Sequence, residues 1–400
     1  MTRPPDARPR DDFALASSET PLAPIIRAEI DAAGGRIPFA RFMALALGHP
    51  EHGYYSAGRL AWGRDGDYET SPEVHPVFGY LWARQVEQCW ERLGRPGEFH
   101  LVEVGAGSGA FAIAILTWLR ERAPDCFAAT RPTLLDGSPR RLEAQRQALE
   151  ARGLRAEHQL LDEWLGDDAT PIDGVVIGNE FFDALPVHLV ERRSDGLHEW
   201  YVERDGDRFA FTLGEPSTAD LDGYFARLGL APGEECRAEV SLVAAALMRR
   251  IAARVRRGYI VAIDYGHEAA DLYASWRRMG TLMAFRDHSP QPDPLAEPGR
   301  LDLTAHVDFT TLAAAAGELG FVAAPTVSQA EALTVLGLPE AMSAAAQRGH
   351  EDVGRYAEER RAAATLTNLE GLGRIRVLVL RRDAALAGLD CLRPIGEVYG

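Results

Sequence analysis

Cysteine is scarce in this 400-residue chain: there are four, Cys89, Cys126, Cys236 and Cys391, and no two form a C-x-x-C pair. That spacing offers neither a zinc site nor a disulfide framework, and it favours a reducing compartment. No apolar stretch approaches the length needed to cross a bilayer. The first twenty residues are rich in Pro, Arg and Asp and lack an apolar core, so no secretory signal is expected. The aspartates there also argue against a transit peptide, and the segment reads as a frayed tail. Basic charge is short as well: 43 Lys and Arg face 59 Asp and Glu, for a formal net charge of −16. Such a surface disfavours generic binding to phosphate backbones or anionic lipid. A basic partner fits it better, although excess acid also simply keeps a protein soluble. A soluble, cytoplasmic protein is expected, with no nucleic-acid partner and no membrane insertion.

What is present is ordinary globular composition, 46% apolar and 26% charged, enough for a sizeable core. After the tail (1–20), residues 22–48 show helical apolar spacing broken at Gly34–Gly35, and 76–93 are again helical. These form an N-terminal helical cap with a covering loop, 21–97. From Phe99 the period changes. FHLVEVG, PTLLDG, RAEHQLL and DGVVIGNE read as strands, with helices at AFAIAILTWLRERA and at 138–152 between them. This gives a first core segment, 98–186. The run from Val187 to Leu213 alternates and carries turn signals at Ser194-Asp195-Gly196 and Asp205-Gly206-Asp207, so 187–237 reads as a β-meander insertion. A second core segment, 238–382, holds a helix at 238–256, the strand GYIVAIDYG, a helix at 307–319, the strand FVAAPTV and the closing strand RIRVLVLRR. It is interrupted at 268–305, which is irregular, and at 330–366, which is Ala-rich and helical. A C-terminal tail, 383–400, follows. Strands alternating with helices imply an α/β, doubly wound parallel sheet, with ligands at the carboxyl ends of its strands.

The strongest local signal is Glu103-Val104-Gly105-Ala106-Gly107-Ser108-Gly109. It sets a carboxylate at a strand end, then glycines that let the backbone approach a ligand closely. Gly105-x-Gly107-x-x-Ala110 also satisfies the dinucleotide pattern, and Asp136 at the end of the second strand suits ribose hydroxyls in either case. Glu103 meets a positively charged ligand well and a pyrophosphate poorly, which favours S-adenosyl-L-methionine. Asn179-Glu180-Phe181-Phe182-Asp183 follows the fourth strand and lies beside the glycine loop. Its amide and carboxylates can hold an amine or guanidinium, and its aromatics can flank a cation or pack as core. Asp264 and His267 end the fifth strand, where they are expected to face the crevice and to position or deprotonate a nucleophile. Ser71-Pro72-Glu73 and Thr304 read as helix starts, and the first also as part of a loop over the ligand.

Taken in order, GYY (53–55), GDYETSPEV (66–74), VEVGAGSG (102–109), GNEFFDALPVH (178–188), IDYGH (263–267) and DPLAEPGRLDLTAHVDF (293–309) resemble the MidA family. Its mitochondrial members are complex I assembly factors that act as protein arginine methyltransferases. The resemblance runs from about residue 20 to about 382. It implies a Rossmann-like, seven-strand methyltransferase sheet with S-adenosylmethionine as donor. It also implies an arginine-bearing protein substrate, with a complex I subunit as one candidate. By the same resemblance Glu103, Gly105, Gly107 and Gly109 form the cofactor loop and Asp136 faces the ribose. Thr70 and Ser71 then lie on the cofactor's outer side, and Asn179, Glu180 and Asp183 at the reaction centre, Asn179 also touching the cofactor. The chain departs from the family at Asp136, where Glu is usual, at GAGSG, and at Leu372-Gly373-Arg374-Ile375-Arg376-Val377. The alternatives are an NAD-dependent oxidoreductase and a non-catalytic assembly factor retaining the cofactor fold.

Overall fold

The computed structural model describes residues 19–56, 70–166, 170–349 and 352–399. The tail before Glu19 and the Gly66–Glu69 part of the covering loop lie outside them. Helices Ala23–Ala32 and Phe39–Gly48 flank a short strand, β1 (Arg36–Pro38), so the break foreseen at Gly34–Gly35 is a turn into a strand. The parallel core begins with β2 (Phe99–Val104), β3 (Thr130–Asp136), β4 (Glu157–Leu160) and β5 (Ile172–Asn179). The meander is β6 (His188–Arg193), β7 (Gly196–Asp205) and β8 (Arg208–Gly214), closed by β9 (Arg237–Val240) against β6. The chain returns to the core as β10 (Val255–Asp264). Short strands β11 (Gly266–His267), β12 (Met283–Arg286), β13 (Ser289–Gln291), β14 (Asp302–Thr304), β15 (Val307–Asp308), β16 (Val322–Ala323) and β17 (Val327–Ser328) follow, and β18 (Arg376–Arg382) ends the sheet.

The main sheet runs β4-β3-β2-β5-β10-β18, with β16 and β17 both on the outer edge of β18. Pairs from β4 to β10 are parallel. β18 runs against β10, and β16 and β17 run against β18. The single edge strand expected at FVAAPTV is split around Pro325, which has no N–H to give the ladder. Ala324 just before it still donates to the Val379 carbonyl at 2.9 Å. Taking those halves as one position gives the seven-position, doubly wound α/β sheet that the motifs implied.

Side chains alternate across this sheet. Leu101, Val175, Ile177, Val261, Ile263 and Val379 pack under helices Val77–Arg92 and Ala110–Arg122. Val102, Val176, Ile260, Ala262 and Leu378 pack on the other face, under Leu242–Arg254 and Phe309–Gly317. Burial on both faces explains why β5 and β10 read as continuous apolar runs. A third core joins the N-terminal helices to the meander: Ile37 pairs with Val202, and Phe39 and Phe42 meet Phe211 and Phe209 at 5.7 and 5.8 Å.

Three expectations change. Residues 237–240 are a strand and the helix spans Leu242–Arg254, its N-terminus capped by the Ser241 hydroxyl, which accepts the Ala244 N–H at 3.1 Å. Three or four residues of period-two pattern abutting a helix are too few to register as a strand. For the same reason the 268–305 region is not wholly irregular but holds the three-stranded sheet β13-β12-β14. Thr304 likewise closes a strand, and the helix start falls at Asp308, whose carboxylate accepts the Thr311 N–H at 3.0 Å.

The chain leaves β2 for β3 and β4 on one side and returns to β5 on the other. Such a reversal opens a crevice between the carboxyl ends of β2 and β5. The glycine loop leaves β2 there, and the Asn179–Asp183 loop leaves β5.

Candidate functional site

A cavity of about 570 Å³ fills this crevice. One wall is the glycine loop. Gly105, Gly107 and Gly109 have φ of 69°, 55° and 82°, left-handed values that cost other residues strain. A Cβ on Gly105 would also stand 2.5 Å from the Phe181 ring, so this glycine is where the two loops meet. Gly105 and Gly107 line the cavity. Gly109 sits behind it, at the start of helix Ala110–Arg122 against Gln145 and Leu149.

Glu103, at the floor, is buried, and its Oε2 has no hydrogen-bond partner. Loss of solvent pushes its carboxyl up to about 8. Asp136, also buried, accepts the Ser138 N–H at 3.1 Å and the Gln145 amide at 3.3 Å. Burial raises it too, against the pull of Arg141. The same Gln145 amide donates to the Gly107 carbonyl at 2.9 Å, tying the end of β3 to the glycine loop.

The opposite wall is the loop after β5. Glu180 holds φ of 49°, an uncommon value for a residue with a side chain and one that clusters at functional positions. Its N–H bonds the Ile263 carbonyl at 2.8 Å. Its Oε1 accepts the Ser71 N–H at 2.8 Å and the Asn179 amide at 3.0 Å. Its Oε2 and the Asn179 Oδ1 are buried without partners. Desolvation pushes Glu180 up to about 7. Asp183 is raised well above the carboxylate range, by burial first and then by Asp264, Glu180 and Asp302. Asp302, from β14, accepts the Tyr55 hydroxyl at 2.8 Å, and the Arg141 guanidinium lies 4.8 Å over the Tyr55 ring. Glu73 accepts the Ser108 hydroxyl across the mouth. Among the described residues seven carboxylates line the cavity (Glu73, Glu103, Asp136, Glu180, Asp183, Asp287 and Asp302) against one guanidinium, Arg141. A space with that imbalance, and with orphaned acceptors on two walls, suits a cation.

Thr70, Glu103, Gly105, Gly107, Asp136, Asn179, Glu180 and Asp183 are thus brought together at one cavity. Three expected residues are not in its wall besides Gly109. Ser71 is fully buried, its hydroxyl bonded to Gln329 at 3.0 Å, and it acts on the site through Glu180, to which its N–H donates. Asp264 is fully buried behind the Asn179–Asp183 loop, its oxygens occupied by the N–H groups of Phe181, Phe182 and Tyr265. His267 is carried away because Gly266 pairs with Val307 of β15, and its ring lies 3.2 Å from Arg277. The expectation that Asp264 and His267 face the crevice is corrected accordingly. Tyr55, Glu73, Arg141 and Asp302 were missed as site residues. Tyr55 and Asp302 are 247 positions apart, and no spacing rule joins them. Among the described residues no group of three or more His, Cys, Asp or Glu is placed to hold a metal ion.

The model of a family described as putative S-adenosyl-L-methionine-dependent methyltransferase matches residues 81–326. The chain belongs to this family. Among curated relatives, the mitochondrial protein arginine methyltransferase NDUFAF7 homolog of Drosophila melanogaster is 31% identical, over 76% of this chain and 72% of its own. The human mitochondrial protein arginine methyltransferase NDUFAF7 is 28% identical, over 74% and 69%. A crystal structure from Burkholderia thailandensis with S-adenosyl-homocysteine bound matches with a TM-score of 0.82 at 32% identity, covering 92% of this chain and 94% of that one.

The protein is therefore an S-adenosylmethionine-dependent methyltransferase of the family that the motifs pointed to. Its residues fit that donor. The partnerless Oε2 of buried Glu103 and the acidic walls suit a sulfonium and an ammonium, whereas a dianionic pyrophosphate would be repelled. The NAD reading falls on that point. The cytoplasmic expectation is also corrected, since these curated relatives are mitochondrial by name. Cysteine spacing and net charge report on redox conditions and solubility, not on which membrane encloses a protein. Among the described residues no helix is long and apolar enough to cross a membrane.

Proposed function

We propose that the enzyme methylates a terminal nitrogen of an arginine side chain in a partner protein. The observation that carries this reading is the Glu180 Oε2, buried and partnerless, beside Asp183 and Asp302 on the wall facing the glycine loop. A guanidinium is planar and cationic, and a pair of carboxylates suits its forked N–H groups. The protein arginine methyltransferase names of the curated relatives support the same acceptor. A respiratory complex I subunit, implied by the family resemblance, is the first partner to test.

Glu103, Asp136, Thr70 and the Gly105–Gly107 backbone hold the donor in this reading, with Asn179 between donor and acceptor. Bound S-adenosylmethionine supplies an electrophilic methyl on a sulfonium. The work left to the chain is alignment. Glu180 and Asp183 orient the acceptor nitrogen, and Glu180, raised to about 7, is poised to take the proton that the nitrogen must lose. Ser71, through its N–H, and Asp264, through the loop backbone, fix where Glu180 stands.

The test is transfer of labelled methyl from S-adenosylmethionine to recombinant partner proteins and arginine peptides, with mass-spectrometric assignment of the labelled atom. Glu180→Gln should reduce transfer by roughly 10²–10⁴-fold, as expected for loss of a general base, while calorimetric affinity for the donor stays near wild type. Label on an atom other than arginine nitrogen, or unchanged transfer by Glu180→Gln, overturns the proposal.

A further inference from the structure

Beside the acidic cavity lies a group of opposite sign that the methyl-transfer chemistry does not use. His267 Nε2 is 3.2 Å from an Arg277 nitrogen, and the His267 and His306 rings are 5.1 Å apart. Tyr265 stacks on His306 at 6.4 Å, and Arg374 lies 5.8 Å from the Tyr265 ring. Burial and the neighbouring guanidiniums hold both imidazoles below their ordinary range, His306 at about 3. The nearest acids, Glu239 and Asp271, attract Arg277 through space, but among the described residues neither forms an ion pair with it. Asp271 acts on His267 and Arg277 only at a distance. Glu239 is occupied by the Thr281 N–H and hydroxyl and the Leu282 N–H. Arg278 pairs with Glu235, but among the described residues Arg277 and Arg374 make no ion pair. The Arg277 Nε and the His306 Nδ1 are buried without partners.

This concentration of positive charge occurs in a chain of net charge −16 that contains no lysine. Arg277 and Arg374 are close enough to repel, neither has a paired carboxylate among the described residues, and an anion placed between them offsets that cost. Acidic groups farther than about 8 Å matter little to such an anion, because physiological salt screens them at that range. The group is also close to the cavity. Thr304 lines it, Ala305 donates its N–H to the Asp183 carbonyl at 3.0 Å, and His306 is the next residue. An extended chain covers Thr304 to His306 in about 7 Å. Trp276 and Met279 are 69% and 72% exposed, and the Arg277 guanidinium lies 4.6 Å from the Trp276 ring.

We infer that Arg277, Arg374 and the His267–His306 pair form an exosite for a carboxylate-bearing segment of the acceptor protein. A preferred acceptor then carries Asp or Glu two to four residues from its methylated arginine, and packs on Trp276 and Met279. The inference rests on the arginine reading for the identity of the acceptor, but its binding step is measurable without methyl transfer. Arg forks match carboxylates bidentately. Acid held on the exosite and arginine held in the acidic cavity give the acceptor one orientation, because the reverse placement sets like charges together.

The test uses the full chain and an arginine-free peptide bearing three glutamates, compared with its glutamine counterpart. Binding is read by calorimetry and by tryptophan fluorescence, with Trp276→Phe as the control for the reporter. Saturable binding of the glutamate peptide, at least tenfold tighter than the glutamine peptide, is expected. Arg277→Gln with Arg374→Gln should weaken it at least tenfold and leave donor affinity unchanged, which also shows that the variant is folded. Equal binding of the two peptides, equal binding by the double variant, or displacement by inorganic sulfate at the peptide's own concentration overturns the exosite. A second arm measures labelled methyl transfer to arginine peptides with Glu or Gln two to four residues away. Transfer that ignores both the glutamate and the double substitution removes the exosite and leaves arginine methylation standing. Arginine-dependent binding of the acidic peptide without label on any arginine leaves the exosite standing and removes the arginine reading.

Discussion

The Asp264 carboxylate accepts the Phe182 N–H at 2.7 Å and, on the same oxygen, the Phe181 N–H at 3.0 Å. Its other oxygen accepts the Tyr265 N–H at 2.9 Å. One buried side chain thereby joins the ends of β5 and β10 and fixes the loop in which Glu180 holds its left-handed backbone. A non-glycine residue in a sparsely populated region costs on the order of 1–3 kcal/mol, and it persists only where its surroundings over-determine it. Asp264 is part of that determination, which makes it a positioning residue in this proposal.

Asp264→Asn should therefore act on the loop before it acts on the donor. The amide puts an NH₂ where one acceptor stood, so at least one buried N–H loses its partner, at about 1–3 kcal/mol. Urea denaturation should show that loss. Methyl transfer should fall while donor affinity, measured calorimetrically, changes little. Unaltered stability, or donor binding lost in step with transfer, contradicts this role.

The glycine loop and the Asn179–Asp183 loop were legible in the sequence because each follows a fully buried strand, and period and motif coincide there. Asp264 was legible as a polar residue at a strand end but not in its role. Sequence shows that a carboxylate is near a turn; it does not show that backbone N–H groups from 82 and 83 positions away consume its oxygens. His267 misled for a related reason, since the two-residue ladder β11–β15 that turns it aside leaves no periodic trace. The joining of β1 to β7 was equally hidden, because three residues carry no period. Tyr55 and Asp302 stood inside recognised motifs, yet their contact is a property of the folded cap alone.

Donor binding should release protons between about pH 5 and 8. Glu103 is raised from 4.5 to about 8 and Glu180 from 4.5 to about 7 by burial, so at neutral pH the empty enzyme carries protons that a cationic ligand expels. The same shifts set the stability of the ligand-free protein. A carboxyl raised in the folded state contributes stability fully present below its unfolded value and lost as pH rises through the folded one. Ligand-free enzyme should thus melt lower at pH 8 than at pH 5.5 on account of these groups. Glu103→Gln should flatten that trend and reduce proton release, and the difference between wild type and variant cancels the ligand's own titration. Calorimetry in two buffers of different ionisation enthalpy measures the release directly. No difference between wild type and Glu103→Gln would rule out a protonated Glu103 in the empty site.

Gly105 and Phe181 should be energetically coupled. Alanine at 105 meets two separate obstacles: a φ of 69°, costing an L-residue roughly 1–2 kcal/mol, and a ring atom of Phe181 2.5 Å from the new Cβ. Only the second depends on Phe181. In the Phe181→Ala background the steric obstacle is gone and the backbone obstacle remains, so Gly105→Ala should cost clearly more in the wild type than beside Phe181→Ala. Contacting residues commonly show interaction energies of about 0.5–3 kcal/mol in such a cycle. Urea denaturation of the four proteins gives the coupling, and donor titration of the same four shows whether removing the clash restores the cradle. A cycle that closes with no interaction energy would mean that the ring moves aside freely, leaving the backbone angle alone as the reason for glycine at that position.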